Sequence, residues 1–303
     1  MSSFPARPRA VALSVRWPQA SARAADFLAL TKPRLNLLVV ATTLAGYYLG
    51  AERFDPGLLT STVVGTALVA GGATAFNQIF ERNTDALMRR TRTRPLPGGR
   101  MRVVTAVWFA LALSLGGLAL LAVGANRLAA GVAAATLLSY ALVYTPLKSK
   151  TSLSTLVGGV PGGLPAMIGW AAATNTLSAE AWVLFAIVFL WQMPHFLAIA
   201  WLCREDYARA GLPMLPVVEP DGRSTGRQVV LYASVLVPVS LAPTLVGLAG
   251  RVYFGGALIL GLIFLGFAVQ FARQRTNDTA RRLFLGSISY LPLLWGLMLG
   301  NHQ

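Results

Sequence analysis

Apolar residues along the chain fall into runs of about twenty, separated by shorter polar stretches, at 35-52, 58-80, 103-123, 127-145, 155-173, 180-202, 228-249, 252-271 and 282-300. A helix needs roughly 20 apolar residues to cross a hydrocarbon layer roughly 30 Å thick. The runs are continuous instead of alternating, so they predict helices and not the strands of a barrel, the other structure that satisfies every backbone amide in lipid. The expected fold is all-α: a polytopic transmembrane bundle of about nine spans. Two inter-span segments, after the second and the sixth runs, are long and rich in charge and proline, whereas those at 124-127 and 249-251 are short. The same feature recurring four helices apart suggests two four-helix halves, related as a parallel repeat, plus a ninth helix.

Composition sharpens this picture. Of the 303 residues, 55% are hydrophobic and 12% charged, against roughly 25% charged in soluble domains. The net charge of +15 invites a nucleic-acid reading, but the placement of the cations argues against one. With loops assigned alternately to two sides, every Lys and Arg except Arg53, Arg127 and Arg251 falls on one side, with the N-terminus and the long loops. Cytoplasmic loops collect such charge, so the N-terminus is expected in the cytoplasm and Asn301-Gln303 outside. Aromatic-interleaved surfaces for single strands are not in evidence. The single cysteine, Cys203, excludes an intramolecular disulfide and any paired-cysteine metal motif. Residues 1-25, rich in Ala, Arg, Pro and Ser, lack the apolar core of a signal peptide and are expected to form a disordered cytoplasmic tail, a transit peptide being the competing reading. Residues 26-303 form the membrane domain.

The second run leads into Asn77, Glu81 and Asp85, spaced i, i+4, i+8, so on a helix they form one stripe of a carboxamide and two carboxylates. Hard oxygen ligands of this kind suit Mg²⁺, which commonly links a few carboxylates to substrate phosphates. Arg82 lies within the stretch, and Arg89, Arg90, Arg92 and Arg94 follow it; their guanidinium forks suit phosphate oxygens. Acidic groups at the end of a span are costly and therefore point to function, while each arginine is equally accounted for by the inside charge bias. Lys148, after Tyr140 and Tyr144 at the end of the fourth run, is a further candidate for phosphate, and Tyr144 for the organic part of a ligand.

The sixth run holds Trp191-Gln192-Met193-Pro194-His195 and leads to Glu205-Asp206-Tyr207. A histidine within a span is open to several readings: general base, metal or haem ligand, or packing residue. Eleven residues separate it from Asp206, which on an unbroken helix returns to nearly the same face; Pro194 is positioned to disturb that registration. Asp206 is the natural carboxylate to oppose the stripe, with Tyr207 read as interfacial. The run Gly158 to Pro165 is too rich in Gly and Pro for a plain helix and implies close packing or room for a large ligand.

Taken in order, Leu30-Thr-Lys-Pro-Arg34, Asn77 through Pro95, Tyr144-Thr-Pro-Leu-Lys148, Val160 through Trp170, Pro194-His195-Phe196, and Asp206-Tyr207 with Ala210-Gly211 and Pro213-Met-Leu-Pro216 resemble the intramembrane aromatic prenyltransferases of the UbiA type, and among them the branch that farnesylates haem. The resemblance spans about residues 28-300. It implies an enzyme of the cell inner membrane that transfers farnesyl from farnesyl diphosphate to a vinyl group of haem b, giving haem O and pyrophosphate with Mg²⁺ as cofactor. The further implied partners are membrane lipid and a handover to haem A synthase or terminal oxidase assembly. Carried onto this chain, Asn77, Glu81, Asp85 and Asp206 hold metal; Arg82, Arg89, Arg94, Lys148 and Tyr144 bind substrate; Asp85, Glu81, His195 and Asp206 act in catalysis. Two positions depart from the wider superfamily, Gln78 in place of an acid after Asn77 and Cys203 in place of a carboxylate before Tyr207, which thins the second metal site. The rival readings are a prenyltransferase for a quinone precursor and, in another class, a non-catalytic transporter or lipid-binding protein.

Overall fold

The computed structural model describes residues 19–302, and among these it is helical almost throughout. The spans are α2 (Pro33–Gly50), α3 (Pro56–Phe80), α5 (Val103–Gly124), α6 (Arg127–Leu138), α8 (Ser154–Thr174), α9 (Ala179–Leu202), α12 (Arg223–Leu245), α13 (Arg251–Gln274) and α14 (Asn277–Gly300). Helix α6 runs on through a π-helical stretch, Ser139–Tyr144, into α7 (Thr145–Leu147). Short helices complete the chain: α1 (Gln19–Leu30), α4 (Arg82–Leu87), α10 (Arg204–Arg209) and α11 (Leu215–Val218).

Eight of these helices are individually long and apolar enough to cross a membrane; α1 and α2, bent by 47° at their junction, make a ninth when taken as one span. Proline explains the junction, since Pro33 has no N–H to continue α1 and its fixed φ suits the first turn of α2. The expected disordered tail overlaps α1: residues 1–18 lie outside the described residues, but 19–25 are helical. The end of α1 is held by α3, from which Thr74 Oγ1 and Gln78 Nε2 donate to the Leu30 carbonyl and Gln78 also reaches the Ala29 carbonyl.

The exterior is that of a lipid-solvated bundle. Val123 is 89% exposed and Leu245 80%, a coat that a water-solvated protein avoids. Inside, small residues let helices touch. A methyl group on Gly169 of α8 would strike the backbone carbonyl of Thr43 on α2, the kind of close approach on which helix association in lipid depends. The Gly-Pro run 158-165 does not interrupt α8, which passes through Pro161 and Pro165 as one helix. Such breakers are tolerated within a packed bundle; they leave the carbonyls of Val157 and Pro161 without helical donors, and close by Gln192 Nε2 of α9 ties the two helices by donating to the Gly159 carbonyl at 2.6 Å.

The repeat is visible at one end of the bundle. Helix α3 stops at Glu81 and continues as the six-residue α4; α9 stops at Cys203 and continues as the six-residue α10. The second span of each half thus ends in the same device, and the two devices meet.

Candidate active site

Glu81 has helix-terminating angles (φ −86°, ψ 2°), yet the stripe survives the break. The Glu81 amide donates to the Asn77 carbonyl at 2.9 Å and the Asp85 amide to the Glu81 carbonyl at 2.7 Å, so the i, i+4 spacing is kept across it. Asp85 is fully buried, Asn77 2% exposed and Glu81 9%. Buried charges need partners, and each member of the stripe takes a different one. Lys32 Nζ donates to Asn77 Oδ1 at 2.7 Å, Lys148 Nζ to both Glu81 oxygens at 3.0 and 3.2 Å, and Arg94 Nη1 to Asp85 Oδ2 at 2.6 Å.

Burial alone would push the Glu81 carboxyl up, but Lys148 and Lys32 beside it outweigh that and hold it below its usual range. Burial likewise works against the Lys148 ammonium, and Tyr144, Glu81 and Tyr207 more than offset it, so Lys148 sits above its usual value.

The π-helical stretch places the aromatic side chains. Residues four apart are neighbours on a helix face, and the rings of Tyr140 and Tyr144 stack at 5.3 Å with 29° between planes. Thr145 closes the stretch by donating its hydroxyl to the Tyr140 carbonyl at 2.8 Å, and Asn77 Nδ2 donates to that hydroxyl at 3.2 Å. Gly158 gives Tyr144 its room, since a Cβ there would lie 2.6 Å from the ring.

From the other half comes Asp206, whose oxygens accept from the amides of Arg89 and Arg90 at 3.2 and 3.3 Å and from Arg209 Nη1 at 2.6 Å. Slight burial opposes its charge, but these donors outweigh it and the carboxyl lies below its usual range. The carboxylate thereby clasps the loop after α4 to α10. Tyr207, expected at the interface, is buried in the site instead, its ring 5.9 Å from the Arg90 guanidinium and 6.0 Å from Lys148 Nζ.

Several expected residues lie elsewhere. Arg82 is exposed and its Nη1 turns back to the Ile79 carbonyl. Arg89 meets Asp206 through its backbone amide, its side chain being exposed. His195 does not share a helix with Asp206: α9 runs unbroken through Pro194, but the chain turns at Cys203 (φ −104°, ψ 12°). His195 instead stacks between Trp191 and Phe284, with centroids at 5.2 and 5.0 Å, and its Nδ1 lies 2.7 Å from Ser287 Oγ of α14. That hydroxyl also lies 2.6 Å from the Phe284 carbonyl; when it donates there, the Nδ1–H tautomer completes the set by donating to Ser287 and leaves the lone pair on Nε2.

The stripe and Arg94 were readable from spacing and chemistry; Lys32, Thr145 and Ser287 were not. Each is brought in by tertiary packing, Lys32 from 45 residues before Asn77 and Ser287 from 92 after His195. The one local signal for Lys32 was the proline after it. Its backbone is left-handed (φ 46°, ψ 65°), a strained conformation for a side-chain-bearing residue and one that clusters at functional sites.

Residues 39–295 match the model of the UbiA prenyltransferase family. The chain belongs to that family. A protein named protoheme IX farnesyltransferase from Solibacter usitatus is 50% identical over 284 residues, covering 90% of this chain and 97% of its own. One of the same name from Myxococcus xanthus is 45% identical, covering 91% and 94%. Among solved structures, a digeranylgeranylglyceryl phosphate synthase matches with a TM-score of 0.78 at 17% identity, over 92% of this chain and 98% of that one. A UbiA homologue from Archaeoglobus fulgidus bound to GPP and Mg²⁺ matches at 0.65 and 14%, over 90% and 99%. At those identities the structures establish the fold of this UbiA-family chain, an all-helical membrane prenyltransferase.

Proposed function

We propose that this UbiA-family enzyme transfers the farnesyl group of farnesyl diphosphate to a vinyl group of haem b, yielding haem O and pyrophosphate, with the site end of the bundle on the cytoplasmic side of the cell membrane. The observation that carries the reading is the buried stripe Asn77, Glu81 and Asp85, each member held by its own cation. The haem acceptor follows the names of the relatives.

The site suits a divalent cation. Asp85 Oδ1 is buried without a hydrogen-bond partner, a costly state for a carboxylate oxygen unless something else fills its coordination. Asn77, Glu81 and Asp85 are the residues that would hold Mg²⁺; Asp206 would serve a second metal position, since among the described residues no three acidic side chains converge on one point. The metal supplies charge neutralisation for the diphosphate.

The chain's own cations do the remaining electrostatic work. Lys148, Arg94 and Lys32, now paired within the stripe, are within reach of phosphate oxygens arriving beside it; Arg90 follows on the loop after α4, and Arg209 approaches from the other half. They stabilise the negative charge that gathers on pyrophosphate as the carbon–oxygen bond breaks and its electron pair leaves with oxygen. Tyr144, with Tyr140, offers ring faces to the allylic cation left behind. The vinyl π pair then forms the new carbon–carbon bond, and water adds to the resulting cation with loss of a proton. His195, with Nε2 unprotonated, acts toward the haem as acceptor of a proton or ligand of iron.

The test is to incubate the purified protein with haem b, farnesyl diphosphate and Mg²⁺, then weigh the extracted haem. A gain of one farnesyl and one hydroxyl group is the expected result. Transfer to 4-hydroxybenzoate and not to haem would move the enzyme to quinone precursors, and no pyrophosphate release with any acceptor would favour a non-catalytic role. Handover of haem O to haem A synthase or terminal oxidase assembly completes the proposal and is read by co-purification.

A further inference from the structure

Away from the stripe, but at the same end of the bundle, a cleft of about 720 Å³ opens between the start of α12 and the end of α13. Its mouth carries Arg223, Arg227 and Arg275, and its wall Val230, Leu231 and Ala272. The order of these residues along α12 matters. Arg223, Arg227, Leu231 and Val235 are spaced i, i+4, i+8, i+12, so one outward stripe of the helix passes from guanidinium to aliphatic over three turns. Leu231 is 58% exposed, which on this bundle means facing lipid.

Two of the arginines make only long contacts of their own, Arg227 Nη2 to Ser224 Oγ and Arg275 Nη1 to the Ala272 carbonyl, each at 3.4 Å. Arg223 pairs with Asp221 at 3.2 Å, an exposed pair at the surface of the kind that is worth little. Arg227 and Arg275 make no ion pair within 4.0 Å among the described residues. Arg275 is also pre-placed. It ends α13 in the left-handed conformation (φ 49°), and its Cδ packs so near Gly222 that a Cβ there would stand 3.4 Å away. Three guanidinium groups above an apolar wall match one chemistry, a phosphodiester headgroup whose acyl chains run down the helix.

We propose that the cleft between α12 and α13 binds an acidic phospholipid of the cytoplasmic leaflet, its phosphodiester held by Arg223, Arg227 and Arg275 and an acyl chain lying along Val230 and Leu231. This site is separate from farnesyl transfer and stands or falls without it.

Delipidated full-length protein in an uncharged detergent is titrated with dioleoylphosphatidylglycerol or dioleoylphosphatidylcholine, and bound lipid is counted by native mass spectrometry. Phosphatidylglycerol binds first and more tightly. Since a basic side chain at a membrane surface contributes about 1 kcal/mol toward an anionic lipid, Arg227→Gln and Arg275→Gln should each weaken it about fivefold, with phosphatidylcholine unaffected. Arg227→Lys should retain most of the binding, and farnesyl transfer in detergent should be unchanged in all three variants, which establishes that they are folded. Equal binding of the two lipids, unchanged phosphatidylglycerol binding in both glutamine variants, or displacement of the lipid by millimolar inorganic phosphate would overturn the proposal. The last result would mean a free-phosphate site.

Discussion

Asp85→Asn separates the structural from the chemical role of the stripe. The Asp85 side chain is 1% exposed and that of its partner Arg94 25%, with Nη1 and Oδ2 2.6 Å apart. Asparagine keeps the shape and one acceptor oxygen but removes the charge. A hydrogen bond to a charged group is worth roughly 1.5–3 kcal/mol and a neutral one roughly 0.5–1.5, so the fold should lose about 1–2 kcal/mol. Removing one preorganised charge from a reacting site costs more, on the order of 10²–10³ in rate, or about 3–4 kcal/mol of barrier.

The two effects are therefore of different size and can be read apart. Thermal unfolding in detergent reports the first, and haem mass after timed incubation the second. In Asp85→Asn with Arg94→Gln the unpaired guanidinium is gone, so most of the lost stability should return while transfer stays low or falls further. Wild-type turnover in Asp85→Asn would refute the role assigned to the stripe. So would recovery of activity together with stability in the double variant, which would reduce Asp85 to a structural partner of Arg94.

Lys148→Gln should shift the pH profile. The Glu81 carboxyl lies below its usual range in part because of Lys148; its ionised form stabilises the fold above the unfolded pKa, and that stabilisation is lost as pH falls through the folded one. Removing Lys148 raises the folded pKa, so the acid limb of transfer should move to higher pH; an unmoved limb would break the link. Gly158→Ala places a Cβ 2.6 Å from the Tyr144 ring, and overpacking of this kind costs about 1–3 kcal/mol; KM for farnesyl diphosphate should rise, and unchanged kinetics would remove Tyr144 from the site. Ser287→Ala frees the His195 tautomer, and losses of partners behind a functional histidine are typically 10- to 100-fold. Transfer should fall by about tenfold or more on that basis, with KM for farnesyl diphosphate unchanged and Ser287→Thr restoring the rate; an unaffected rate would leave His195 as packing.

Hydrophobic periodicity carried most of the fold because lipid permits few alternatives. The nine apolar runs map onto the spans, with offsets where polar ends continue a helix past the hydrocarbon, as α12 does by beginning at Arg223 instead of residue 228, and where a helix stops short of its run, as α12 does at Leu245 and α2 at Gly50. Composition failed at 19–25, an Ala-rich segment that reads as part of the tail but falls in α1. The stripe was legible because local hydrogen bonds carry its spacing across the break at Glu81. The proposed registration of His195 with Asp206 was not realised, because the corresponding break at Cys203 parts them. Gln78, which on the sequence looks like a lost metal ligand, spends its side chain on the carbonyls that end α1, a use that no local pattern announces.

The charges gathered around the stripe bear on why so many cations come from so far apart. Glu81 and Asp85 contribute two negative charges, balanced by Lys148 and Arg94, and Lys32 on Asn77 supplies a third positive charge in contact with the same side chains once an anion arrives to offset it. Holding that third ammonium in a buried setting without an anion is expensive. A fully ionised diphosphate ester is a trianion; arriving with a single divalent cation it adds one negative charge and brings the whole to neutrality. Either component alone would leave the site further from balance than the pair does. Binding of diphosphate and Mg²⁺ should accordingly be cooperative, each tightening the other reciprocally, and Lys32→Met should weaken diphosphate more than it weakens the metal. Isothermal titration of one in the presence and absence of the other measures this, and independent binding of the two would show that the three cations serve packing and not charge.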